Sequence, residues 1–195
     1  MFVYFSETQA RRNDFRGPDV FVVLDTEKKE RQRWVAGDED GKLPDVVIEL
    51  LSDSTRDVDR GEKMRIYERV WKVRTYVLYD PFSHELEAYA LAPGGRFERL
   101  APDARGDLPV HPLGLSVGLR PRGLHEEPGP FLRWIEDGEP LPTGRELADH
   151  VTGQLARVEA QRAEAEAQRA EAEAQRAEAE AQRAEAEAQR AEAEA

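Results

Sequence analysis

PDVFVVLD (18–25), PDVVIELLS (44–52), DRGEKMRIYERV (59–70) and VRTYVLYDP (73–81) are the four segments from which the fold of this 195-residue chain can be read. The first and second each open on Pro-Asp and run into β-branched and aliphatic residues, the pattern of a buried strand. Residues 19–24 are nearly continuous in apolar character, which predicts burial on both faces. In 45–51, Asp45, Val47, Glu49 and Leu51 share one face, because side chains alternate along a strand. Ser52-Asp53-Ser54-Thr55 offers capping oxygens for a helix at roughly 57–70. Asp59, Lys63, Ile66-Tyr67 and Val70 recur there at helical spacing, with Gly61 a weak point. A strand at 74–80 ends on Asp80-Pro81.

Working outward, FVYF (2–5) reads as a strand followed by a polar turn through Asn13, and 25–43 as a long charged surface loop anchored by Trp34. ELEAYAL, the turn Pro93-Gly94-Gly95 and RFERL read as a hairpin. The proline-rich stretch 101–130 reads as loop with one strand at 113–119, and 131–135 as a late strand. A helix from about Thr143 feeds the tail, in which AQRAEAE is repeated five times from Ala160 to Glu194. These are good helix formers without a breaker, so the tail predicts a rod of roughly 50 Å at ~1.5 Å per residue. The heptad frame with apolar a and d uses Ala160 and Ala163 and their repeats, leaving Glu164 at e and Glu166 at g. Self-pairing in either orientation then sets glutamate against glutamate. A coiled coil and a lone solvated helix both remain open.

Composition bounds the rest. No cysteine is present, which excludes disulfides and thiolate metal sites and fits cytoplasmic residence. No apolar run approaches ~18 residues, so no transmembrane helix is expected, and the start lacks the n-region of a signal peptide. Of the net charge of −12, the repeat carries −5, from 5 Arg and 10 Glu, which leaves −7 on the body. Nucleic-acid binders usually carry a basic footprint. Here basic residues gather only locally, over 28–33 and 60–74.

Acids emerging from neighbouring strands, with a lysine close by, are what a magnesium-dependent phosphodiesterase needs, since the cation takes oxygen ligands. In this order the PDV, PxVVxEhLS, K-x3-Y and YxLYDP patterns resemble the Uma-type putative restriction endonuclease family, a branch of the PD-(D/E)XK nuclease superfamily, over roughly residues 1–148. The resemblance implies an α/β, restriction-endonuclease-like mixed central sheet with flanking helices, followed by a long helical tail over 149–195. It implies cleavage of DNA with Mg²⁺, or Mn²⁺ in its place, Asp19 and Glu49 as metal ligands and the Leu50 backbone carbonyl as a third. The family lysine expected at 51 is Leu51 here, and the resemblance maps its role to Lys63, with Tyr67 one turn on as a support. Family members usually carry a further stretch before the first strand, so an upstream start or a trimmed, inactive copy is also expected as an option.

Each of these residues has a plainer reading. Asp19 and Asp45 follow proline and can cap strand ends. Glu49 within VVIELL is costly to bury alone, and an ion pair with Lys63 would explain it. Lys63 can be an ordinary solvated helix lysine, and Tyr67, Trp71 and Tyr76 read as core. The four histidines have no metal-ligand spacing. Neither a nucleophile elbow nor a phosphate-binding glycine loop is present. The rival function is therefore a catalytically degenerate nuclease fold, a partner-binding or oligomerising module working through its tail. Homo-oligomerisation through the globular domain is equally allowed.

Overall fold

A computed structural model describes residues 1–12, 14–121 and 129–193, and divides into two compact units, Met1–Leu141 and Pro142–Ala195. In the first, a five-stranded sheet is built from β2 (Val20–Val22), β4 (Val46–Leu50), β5 (Thr75–Tyr79), β6 (Leu86–Leu91) and β7 (Phe97–Arg99), in that spatial order. β4 and β5 run parallel and every other neighbouring pair is antiparallel, so the sheet is mixed. A parallel pair needs a crossover, and the helix over 56–71 supplies it. β1 (Phe2–Tyr4) pairs in parallel with β3 (Arg33–Val35) as a separate ribbon. A four-stranded antiparallel sheet holds β8 (Leu108–Val110), β9 (Leu115–Arg120), β10 (Phe131–Glu136) and β11 (Glu139–Pro140).

The alternation along β4 sorts the core into two layers. Val47 and Leu51 join Trp34, Tyr67, Trp71, Tyr76 and Leu78 on the side of the crossover helix. Val46 and Ile48 join Val77, Ala88, Leu108, Val110 and Val117 against the second sheet. Burial on both faces explains why β4 reads as an unbroken apolar run.

Several sequence expectations are corrected. β2 is not buried on both faces: it lies at the sheet edge, and Val20 is exposed. The polar turn expected after β1 begins as a short helix, Glu7–Arg12, and Asn13 lies outside the described residues. The loop over 25–43 contains β3, which buries Trp34 and Val35. The proline-rich stretch contributes β8 as well as β9. Pro109 fits because β8 is the edge of its sheet, where a missing N–H breaks no ladder. The expected capping oxygens do not cap the crossover helix, since Thr55 makes no side-chain cap bond. Ser52 and Thr55 instead bond each other through their hydroxyls at 3.0 Å. That helix alternates α turns (Arg56–Val58, Met64–Ile66) with π turns (Asp59–Lys63, Tyr67–Trp71). Val70 is consequently exposed while Trp71 is buried.

The second unit is one helix, Gly144–Ala193. It opens with a reciprocal cap in which Glu146 N–H donates to Thr143 Oγ1 (3.2 Å) and Thr143 N–H donates to Glu146 Oε2 (2.7 Å). Among the described residues no helix is long and apolar enough to cross a membrane.

Candidate functional site

Glu49 is the fourth residue of β4 and projects toward the crossover helix, 1% exposed. A carboxylate so placed is strongly disfavoured unless it is paired and hydrogen-bonded. Both conditions are met from the helix. Lys63 Nζ lies 3.0 Å from Glu49 Oε2, and the Tyr67 hydroxyl donates to Oε1 at 2.7 Å. Lys63 also contacts Asp59 Oδ1 at 2.8 Å, one turn back on its own helix, and Asp59 is 1% exposed. Tyr76 from β5 closes the group by donating to the Asp59 backbone carbonyl at 3.0 Å.

One cation thus serves two buried carboxylates. With all three groups ionised the cluster carries one excess negative charge in a poorly solvated space, and taking up one proton removes it. The side-chain equilibria follow. Burial pushes Glu49 up to about 7, against the opposing hydrogen bond from Tyr67 and the charge of Lys63. Burial pulls Lys63 down, but the Asp59 and Glu49 carboxylates outweigh it, so the ammonium is held above its ordinary range. Tyr67 is raised by burial and by the Glu49 charge, which keeps its hydroxyl a donor.

Asp19 stands apart from this cluster in environment. It is exposed, immediately ahead of β2, and its Oδ2 accepts the Leu50 N–H at 2.7 Å. β2 pairs with β4 so that Val20 faces Ile48, and one further step of that register sets Asp19 opposite Glu49. Leu50 ends β4 and is half exposed. Asp19 also lines an open cleft of about 370 Å³ with Pro18, Val20, Phe21, Lys29 and Trp34. The structure therefore brings Glu49 and Lys63 into direct contact and holds Asp19 at the adjoining strand end, tied to the backbone beside Glu49. Asp45 accepts the Leu24 N–H at 2.8 Å and pairs with Arg74 at 3.4 Å, a strand-end role.

Position 51 explains why a lysine there is absent. Leu51 is 1% exposed and packs with Val47, Tyr67 and Trp71 beneath the helix, so a charged side chain at that point would displace core. Sequence reasoning misses Asp59 as a partner of Lys63. The available signal is the four-residue Asp–Lys spacing. Tyr67, expected to support Lys63, bonds Glu49 instead.

Two other buried acids have their own structural work. Asp80 accepts from the Phe82 and Ser83 N–H groups at 2.9 and 3.1 Å and pairs with Arg56 at 2.6 Å. Glu87 is held by Arg60 and the Tyr89 hydroxyl, which outweigh burial and lower its proton affinity. Among the described residues no cluster of three or more His, Cys, Asp or Glu side chains is arranged to hold a metal ion.

A family model described as Uma2, putative restriction endonuclease, matches residues 2–124. Over 102 residues the chain is 30% identical to the uncharacterized protein slr1290 of Synechocystis sp., a match covering 52% of this chain and 50% of that protein. The chain thus spans about half the length of the curated relative it matches. The family match takes in the strand carrying Glu49, the crossover helix with Lys63 and strand β5, which leads into Asp80-Pro81. Covering well over half of the residues, it shows that the chain belongs to the Uma2 family of putative restriction endonucleases.

Proposed function

We propose that this protein is a Mg²⁺-dependent endonuclease that hydrolyses DNA phosphodiester bonds, with Asp19, Glu49 and the Leu50 carbonyl as metal ligands and Lys63 as the charged group beside the reacting phosphate. The observation that carries the reading is the 3.0 Å contact between Lys63 and Glu49. It is the acid–lysine pairing the nuclease pattern needs, delivered from a helix because position 51 is core. The donor chemistry suits the cation: magnesium takes oxygen ligands and is commonly held through one or two carboxylates plus waters. When bound, it would supply charge neutralisation at the phosphate and a water of lowered pKa. This chain's own residues then have separate tasks. Asp59 and Glu49 keep Lys63 protonated and aimed. The ammonium offers a fixed positive charge to a phosphate oxygen, where developing negative charge is best stabilised without reorganisation. Tyr67 fixes one Glu49 oxygen and leaves its second lone pair available.

A second reading draws on a different observation. Both Glu49 oxygens are already satisfied by Lys63 and Tyr67, and Asp19 by a backbone N–H, an arrangement equally suited to a scaffold that has lost catalysis. Supercoiled-plasmid nicking with Mg²⁺ or Mn²⁺ separates the two. The nuclease reading expects metal-dependent nicking that Glu49→Gln and Lys63→Ala each abolish. Nicking unchanged in both variants, or absent from the native chain under every metal condition, sinks it.

A further inference from the structure

The basic residues of 60–74 acquire a place in the fold that the proposed chemistry does not use. Between the outer flank of the crossover helix and the tip of the β6–β7 hairpin lies an open groove of about 420 Å³, lined by Arg60, Gly61, Arg65, Glu68, Arg69 and Arg96 among others. Its charges do not cancel. Arg60 is occupied by Glu87 and Glu85. Arg69 and Arg96 share a single acid, Glu68, at 3.5 and 3.4 Å, and are 57% and 64% exposed. Arg65 is exposed and pairs with no acid among the described residues. Lys72, in the left-handed conformation that ends the helix, carries its Nζ to within 3.4 Å of where a Cβ on Gly95 would sit, so the cation lies at the hairpin turn beside Arg96. Four cations against one acid make a local excess on a body whose net charge is strongly negative.

We propose that this groove is a docking track for the sugar–phosphate backbone of duplex DNA. Arg65, Arg69 and Lys72 descend the helix at steps of about one turn, ~5 Å, the scale on which successive phosphates follow one another along a strand, and Arg96 faces them from the hairpin. Guanidinium groups bind phosphate bidentately, and three of the four cations are Arg. Among the described residues no aromatic side chain lines the groove, so it engages backbone and reads no base; contacts of this kind position a duplex without selecting sequence. The concentration of cations on one flank answers the objection raised by the acidic body. Net charge weakens long-range attraction, whereas a local track binds through counterion release at the phosphates it touches.

DNA as the polyanion rests on the nuclease reading, but docking needs no cleavage, so the test is run without divalent metal. Fluorescence anisotropy of a labelled duplex of about 20 base pairs, titrated with the full chain in chelator between ~50 and ~200 mM salt, gives affinity and its salt slope. The triple variant Arg65→Ala/Arg69→Ala/Arg96→Ala is expected to bind roughly 10- to 100-fold more weakly and to lose about 2–3 from the slope of log K against log salt. The matching triple Lys variant should recover most of both, because charge is retained. Arg65→Glu alone, which breaks no ion pair of the fold, should weaken binding about 10-fold. An alanine triple variant with native affinity and slope, or a native chain that binds heparin but no duplex, overturns the track. If the native chain fails to nick plasmid yet loses DNA binding through these arginines, the track stands and the nuclease reading falls. Robust nicking with unaltered binding in the triple variant removes the track and leaves the nuclease reading standing.

Discussion

Replacing Lys63 by Met keeps the aliphatic stem and removes the cation that, among the described residues, serves both Glu49 and Asp59. The native reference is set by Glu49 itself, raised from an ordinary 4.5 to about 7. A carboxyl whose folded value lies above its unfolded value favours the folded state below both. That contribution is lost as pH rises from about 4.5 to about 7, to a total of about 3 kcal/mol at 1.36 kcal/mol per unit. Native stability from this group therefore declines over that window and is flat above it. Without Lys63 the folded carboxyl loses its attracting charge and its affinity for the proton rises further. The decline must then continue above pH 7. At pH 8 the variant leaves two carboxylates, each 1% exposed, without a counter-charge, a loss of about 3–5 kcal/mol. At pH 5.5 the carboxyl is protonated in both proteins, and the difference should shrink to about 1–2 kcal/mol, set by the lost contacts and the remaining Asp59 charge. Urea unfolding of both proteins at pH 5.5, 7 and 8 measures these values. A difference below ~1 kcal/mol that does not change with pH would refute the reasoning, since it would mean the cluster is solvated and the lysine idle.

Tyr67→Phe deletes the hydroxyl donated to Glu49 and should cost about 1.5–3 kcal/mol, with the Glu49 carboxyl resonance titrating at higher pH than in the native protein by NMR. Asp80→Ala removes the Arg56 pair and two turn hydrogen bonds at once; a loss of about 2–4 kcal/mol in thermal unfolding is expected, and a change under ~0.5 kcal/mol would place the turn's stability elsewhere. A peptide of residues 156–195 should be helical and monomeric at pH 7 by circular dichroism and sedimentation equilibrium, and should associate more readily as pH falls through ~4.3, where glutamate repulsion is lost. Tight dimers at pH 7 would mean that close alanine packing outweighs that repulsion.

The parts of the fold legible in sequence are those whose pattern is local. β4, β5 and the β6–β7 hairpin stand out because their apolar runs and turn glycines need no tertiary information. Glu49 is conspicuous for the same reason, as a lone acid inside VVIELL. Asp59 is not, because Asp and Lys four apart usually decorate an exposed helix face, and only the sheet beneath turns this pair into a buried clamp. β3 is masked by the dense charge of 28–33, with burial concentrated on Trp34 and Val35. β8 is masked by its proline, harmless only because the strand finds an edge. The edge position of β2 is equally invisible, since an apolar run does not say how many neighbours it will have.

The alternating turns of the crossover helix set the angular phase of the whole cluster. An α turn takes ~3.6 residues and a π turn more, with bonds reaching i→i+5. Mixing them brings the repeat close to four, so Asp59, Lys63, Tyr67 and Trp71 stand in a straight file and do not drift around the cylinder as they would on a uniform α-helix. The file is thereby phased to the sheet along its whole length, from acid to cation to phenol to indole. Forcing the Asp59–Lys63 π turn into α geometry at unchanged length would rotate everything on one side of it by several tens of degrees. Lys63 would swing out of register with either Asp59 or Glu49 while the helix stayed intact. In this protein the spacing of charge is stored as helical pitch, and a change of pitch is a larger insult to the cluster than most side-chain replacements within it.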